Sequence, residues 1–134
     1  MIDKENEIYT FIKKAILEEY PSCNVSSVYS PTVAKFPYVS IYMIDAFEPT
    51  EYRDTSLEEK FTTMSFQIDV YSNDSSKAKS ICKGIISIVD KTLRRKNFKR
   101  DVLTPVPNQN DASIYRITAQ YSVTANKTHF YSAN

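Results

Sequence analysis

The sequence predicts an α+β domain. It is a two-layer sandwich with a mostly antiparallel sheet and two helices on one face, in the order α-β-β-β-α-β-β. Three observations predict it. Met64, Phe66, Ile68 and Val70 alternate with Ser65, Gln67, Asp69 and Tyr71, the period of a half-buried strand. Across Ser72-Asn73-Asp74-Ser75 the period changes, and Ala78, Ile81, Cys82, Ile85, Val89 and Leu93 follow at helical spacing. Tyr115, Ile117, Ala119, Tyr121 and Val123 then alternate with Arg116, Thr118, Gln120 and Ser122. Strands this regular suit an antiparallel sheet with one face on the core, and the two helices would cover that face.

In chain order, Asp3 to Tyr20 is an amphipathic helix with Ile8, Phe11, Ile12, Ala15, Ile16 and Tyr20 on its apolar stripe. Asp3, Glu5 and Glu7 sit where negative charge suits the helix dipole, and Pro21 stops the helix. Asn24 to Tyr29 is a short strand through Val25 and Val28, and 31–37 is a connection. Tyr38 to Phe47 is a strand with Val39, Ile41 and Met43 on one face and Tyr38, Ser40, Tyr42 and Ile44 on the other. Glu48 to Lys60 is a polar excursion, longer than the two to five residues a hairpin needs, and so either an extended β-arm or a functional loop. The strand Phe61 to Tyr71 and the helix Ser75 to Lys96 follow. Val102 to Val106 is a short strand, and Pro105, Pro107, Asn108 and Asn110 make a turn region. Ser113 to Ala125 is the last strong strand, and 126–134 is a polar tail holding His129, Phe130 and Tyr131.

Composition narrows the function. The 134 residues fit one domain, 1–134, and 42% hydrophobic with 25% charged residues is ordinary globular composition. A net charge of +1 gives no bulk attraction for nucleic acid or membrane. No apolar run approaches the roughly 20 residues of a membrane helix. The charged start Met-Ile-Asp-Lys-Glu-Asn-Glu is not a secretory signal, so a protein acting in the cytoplasm is expected. Cys23 and Cys82 fall in different elements and are expected to be reduced thiols, Cys82 as a small core residue. The single glycine, Gly84, lies inside the second helix, so no glycine-rich phosphate cradle exists.

No residue set recommends catalysis. His129 would have to serve any Ser/His/Asp or Cys/His site, and its place near the polar terminus marks it as solvated. No GxSxG, HExxH, GxGxxG or Walker pattern occurs. Asp45, Glu48, Glu51, Asp54, Glu58 and Glu59 cluster around the long excursion but match no calcium-loop spacing. Asp69 and Asp90 are expected at the surface. No enzyme, metal or cofactor is expected.

Charge is segregated instead. Acids gather at 45–60, and Arg94, Arg95, Lys96, Lys99 and Arg100 form a basic run after the second helix. That run suits a helix C-terminus; phosphate-backbone binding is the sharper alternative. If the two clusters lie on opposite flanks, each can meet the other on a neighbouring copy, and head-to-tail contacts of this kind close into rings. The expected contact residues are Glu48, Glu51, Tyr52, Asp54, Leu57, Glu58 and Glu59 on one side, and Arg94, Arg95, Lys96, Lys99 and Arg100 on the other. Tyr52 and Leu57 would either anchor a contact or fold back onto their own domain.

The segments Phe36-Pro37-Tyr38-Val39-Ser40-Ile41, Phe66-Gln67-Ile68-Asp69-Val70-Tyr71-Ser72-Asn73, and Pro105-Val106-Pro107-Asn108 through Ile114-Tyr115-Arg116-Ile117-Thr118-Ala119 resemble small neck proteins of tailed phages of Gram-positive hosts, the tail completion or tail terminator proteins. The resemblance implies a subunit of a hexameric ring that caps the head-proximal end of the tail tube, stops its growth and docks to the connector. Its partners would be further copies of itself, the tail tube protein, the neck or connector protein and a sheath. DNA would pass through the lumen without specific binding. The place would be the virion neck, assembled in the bacterial cytoplasm, in a phage, a prophage remnant or a phage-tail-like bacteriocin. A head-completion or connector role and a small nucleic-acid-binding module stay open as alternatives.

Overall fold

The computed structural model describes residues 2–28, 35–49, 61–107, 113–126 and 129–131. The elements are α1 (Glu5–Glu19), β1 (Asn24–Ser26), β2 (Tyr38–Phe47), β3 (Thr62–Ser72), α2 (Ala78–Arg94), β4 (Lys99–Pro105), β5 (Tyr115–Ala125) and β6 (Phe130–Tyr131). The expected order holds, and β6 is added to it from the segment read as a polar tail. The sheet runs β1-β2-β3-β5-β4, with β6 also on β5. Only β1 and β2 pair in parallel; the other pairings are antiparallel.

Register explains the core. Val39, Val70 and Ile117 line up across β2, β3 and β5, as do Ile41, Ile68 and Ala119, then Met43, Phe66 and Tyr121. All of these are buried except the half-buried Met43. Onto this face α1 presents Ile8, Ile12 and Ile16, and α2 presents Cys82, Ile85, Ile86, Val89 and Leu93, all buried. Each such aliphatic side chain contributes roughly 1.5–3 kcal/mol, against about 1 kcal/mol for a helix cap. Packing on the sheet therefore holds the helices more than their ends do.

The ends are nonetheless defined. Asp74 Oδ1 accepts hydrogen bonds from the Ser76 and Lys77 amides at 3.0 and 2.9 Å and opens α2. Those bonds hold the Asp74 carboxyl below its ordinary pKa. At the far end Asn97 takes φ 69°, and the Phe98 amide reaches back to the Leu93 carbonyl at 3.1 Å. That is a left-handed helix stop, filled by asparagine in a chain with one glycine. Gly84 serves close approach: a Cβ there would run into the Tyr20 hydroxyl at the end of α1.

Two irregularities reshape the sheet. The β2–β3 register slips between Met43 and Asp45, leaving Ile44 as an extra, 44% exposed residue. Beyond this bulge the inward positions change parity. Ala46 now stands opposite Met64, and Phe47 points to the open face, 52% exposed. A second slip lies between Arg100 and Val102 in β4. The outer border of β2 past Ser40 has no strand beside it among the described residues. There the Met43 amide donates to Glu5 Oε2 of α1 at 2.9 Å.

Candidate functional site

Three surfaces carry the polar chemistry of this frame: the open face of the sheet, the junction around Asp90, and a groove along β4.

On the open face Asp69 is fully buried, not at the surface as its place in the alternation suggests. Its Oδ1 accepts from Arg116 Nη2 at 3.0 Å and from the Thr118 hydroxyl. Its Oδ2 accepts from the Tyr42 hydroxyl at 3.1 Å and from Gln67 Nε2 at 3.2 Å. Gln120 Nε2 extends the chain of bonds to Gln67 Oε1 at 3.1 Å. Arg116 also lies over the Tyr71 ring, 5.2 Å from its centroid. Neighbours on one sheet face thus shut the carboxylate away from water, because long polar side chains from β2, β3 and β5 close over it. Burial first, and then the Asp69 charge, push the Tyr42 phenol up to about 12. The arrangement is a satisfied structural knot, with every Asp69 oxygen already occupied.

Asp90, on the sheet-facing side of α2, is half buried rather than a surface residue. Its Oδ2 accepts from Arg94 Nε at 2.8 Å; its Oδ1 accepts from Arg100 Nη1 at 3.1 Å and from the Tyr121 hydroxyl at 2.9 Å. Burial opposes its ionisation, but the Arg94 and Tyr121 hydrogen bonds outweigh it and hold the carboxyl below its ordinary range. Burial and the adjacent carboxylate raise Tyr121. This junction takes the basic run apart. Arg94 and Arg100 are paired to Asp90, and Lys99 lies 3.5 Å from Asp101. Lys96 covers the Phe11 ring at 4.2 Å. Arg95 is exposed in a cleft beside Glu18, Glu19 and Lys91. Lys99 and Arg100 belong to β4 rather than to the helix end. Of the acidic contact residues, Glu48 follows β2 and is exposed. Glu51, Tyr52, Asp54, Leu57, Glu58 and Glu59 lie outside the described residues, as do Asn108 and Asn110.

The third surface was not foreseen. α2 sits over β3 and β5 and leaves β4 uncovered, so all of β4 is exposed. The result is a groove of about 490 Å³ between α2 and β4. Ile86, Leu103, Pro105 and Ile117 form its floor, Lys79 and Lys83 stand on one wall, and Asp90 and Arg100 close one end. Leu103 is 43% exposed there, and Val102 is 39% exposed on the opposite face. The i, i+4 spacing of Lys79 and Lys83 was visible in the sequence. What hid the groove is that nothing local reports which strand a helix fails to cover.

The thiols do no chemistry on these surfaces. Both cysteines are free and buried. Burial pushes Cys23 up to about 11 and Cys82 up to about 12, and the Cys82 thiol donates to the Tyr115 and Val70 carbonyls. Among the described residues no group of three or more His, Cys, Asp or Glu side chains converges as a metal site. No helix among them is long and apolar enough to cross a membrane.

No known protein family matches the chain, and no curated protein does. Among solved structures the chain is similar to the sheath/tube terminator of an extracellular contractile injection system, PVC, in its extended state. The similarity is at 13% identity and a TM-score of 0.47, a level that carries no functional argument. It covers 96% of this chain and 60% of that one, so the chain spans about three fifths of the terminator's length.

Proposed function

We propose that the chain is a structural assembly protein, a tail terminator. Copies of it form a ring that caps the head-proximal end of the tail tube of a phage or phage-tail-like particle and docks to the connector. The observation that carries this reading is the pair of unlike borders on one sheet. At the β2 border the bulge exposes Ile44 and Phe47; at the β4 border Val102 and Leu103 are exposed beside an uncovered groove. Two different borders on opposite sides of a rigid frame suit heterologous, head-to-tail contacts, which close into rings when the rotation permits. The sequence resemblance to phage neck proteins supports the same reading. The similar solved structure, itself a sheath/tube terminator, agrees with it but does not carry it. The engagement of Arg94, Lys96, Lys99 and Arg100 within the chain argues against a phosphate-binding role for the basic run.

The test is loss of the protein from the producing particle, with tail length measured by electron microscopy. Abnormally long tubes are expected. Tails of normal length beside unjoined heads would overturn the terminator role in favour of head completion.

A further inference from the structure

We infer that the groove between α2 and β4 receives the acidic segment 48–60 of a second copy of this chain. Lys79 and Lys83 meet its carboxylates, and the Leu103–Pro105 floor takes Tyr52 or Leu57. The inference deepens the assembly reading and rests on it.

Three observations fix the occupant. The first is charge. Lys79 and Lys83 are exposed and make no ion pair among the described residues, whereas Arg100 at the end of the groove is already neutralised by Asp90. The groove therefore offers two unspent cations above an apolar floor. Segment 48–60 holds five acids, Glu48, Glu51, Asp54, Glu58 and Glu59, against Arg53 and Lys60. It is the most acidic stretch of the chain, and Tyr52 and Leu57 are its only large apolar side chains.

The second is the nature of the groove. A lysine lays its methylene stem on apolar surface and keeps its head in water. A partner that suits such a wall has a carboxylate next to a hydrophobic side chain, as at Glu51-Tyr52 and Leu57-Glu58. A phosphate backbone would meet the Asp90 carboxylate and find no use for the floor.

The third is reach, which excludes the segment's own domain. The segment leaves β2 at Phe47 and enters β3 at Thr62, which pairs with Ala125 at the end of β5. Lys79 and Lys83 flank Cys82, whose thiol touches the Tyr115 carbonyl at the opposite end of β5. Ten residue steps separate Tyr115 from Ala125, about 33 Å along the strand. Tyr52 lies five residues from Phe47, and Leu57 five residues from Thr62, a span of at most about 18 Å each. Glu51, Glu58 and Glu59 lie no more than four residues from those anchors, at most about 14 Å. None of these carboxylates reaches the lysine end of its own groove, so the ones that meet it there come from a neighbour.

The experiment uses a fluorescein-labelled peptide of residues 48–60, titrated by anisotropy with the full chain carrying Glu58→Lys and Glu59→Lys. In that chain its own segment cannot compete. Adding Lys79→Glu and Lys83→Glu should weaken binding at least tenfold. A peptide with Glu58→Lys and Glu59→Lys should recover it on a Lys79→Glu, Lys83→Glu chain that keeps Glu58 and Glu59, whose own acidic segment cannot compete for the reversed groove. Leu103→Ser, which removes apolar floor without adding charge, should weaken binding independently of salt. All five positions are exposed or lie outside the described residues, and circular dichroism melting confirms that each variant is folded. Absence of peptide binding, or equal binding to both grooves, overturns the inference. Native mass spectrometry of the unmodified segment separates the two claims. If Lys79→Glu with Lys83→Glu assembles as well as the parent, the groove inference falls and the ring survives. A parent chain that stays monomeric at every concentration, with and without tube protein, removes the ring and the second-copy occupant together.

Discussion

Asp69 and Asp90 are both aspartates held by arginine, on opposite faces of one sheet, yet they do different work. Asp69 is fully buried and draws Tyr42, Arg116 and Thr118 from strands far apart in the chain, with Gln67 from its own strand. The Asp90 side chain keeps 21% exposure and draws on a residue four positions away, Arg94, together with Arg100 and Tyr121. The first ties three strands into one polar tile. The second fastens the end of a helix to the sheet while leaving one side open to the groove. Burial separates them, since the same ion pair costs more to break where water cannot replace the lost partner.

The largest effect should come from emptying the tile. Asp69→Ala strands the Arg116 guanidinium together with the Thr118, Tyr42 and Gln67 donors. It should cost about 3–5 kcal/mol, read as a drop in the urea midpoint with unchanged slope. A loss below about 1 kcal/mol would mean that water enters the face and the contrast with Asp90 is false. Next comes Tyr121→Phe, which removes one buried hydroxyl donor from Asp90 and should cost about 1 kcal/mol by the same measurement.

The smallest effect is the acid dependence of the half-open pair. The Asp90 carboxyl is depressed in the folded chain. Its stabilisation is therefore fully present above the ordinary aspartate value near pH 4 and is lost as pH falls through the folded value. Urea midpoints measured from pH 5 downward should fall, and Asp90→Asn should flatten that fall. The slope that remains belongs to other depressed carboxylates, Asp74 among them. An unchanged slope would show that the Asp90 pair survives in the unfolded chain or never forms.

The two aspartates also show what a sequence can and cannot carry. β2, β3, β5 and the stripe of α2 were legible because their apolar period is local and unbroken. Asp69 was misjudged because alternation gives the face and not the neighbours. Its partners lie two to 49 residues away and converge only once three strands align. Asp90 and Arg94 were spaced for an i, i+4 pair and could have been found. The bulge at Ile44 leaves no compositional mark, since one inserted residue in an apolar strand looks like any other. β4 began three residues earlier than its apolar pattern, because Lys99-Arg100-Asp101 forms an uncovered edge where polar residues lose nothing by lying in a strand. The charge run itself was visible, but not its internal neutralisation, which depends on a turn at Asn97 bringing Arg100 back over Asp90.

The bond from the Met43 amide to Glu5 has a consequence for handling the chain. It seats the first turn of α1 on a rim of the sheet that would otherwise be a bare template for backbone pairing. That guard comes from α1. A fragment trimmed to begin after α1 would lose both the Ile8–Ile16 stripe and the guard, leaving a sticky border next to Ile44 and Phe47 and inviting fibrous clumping.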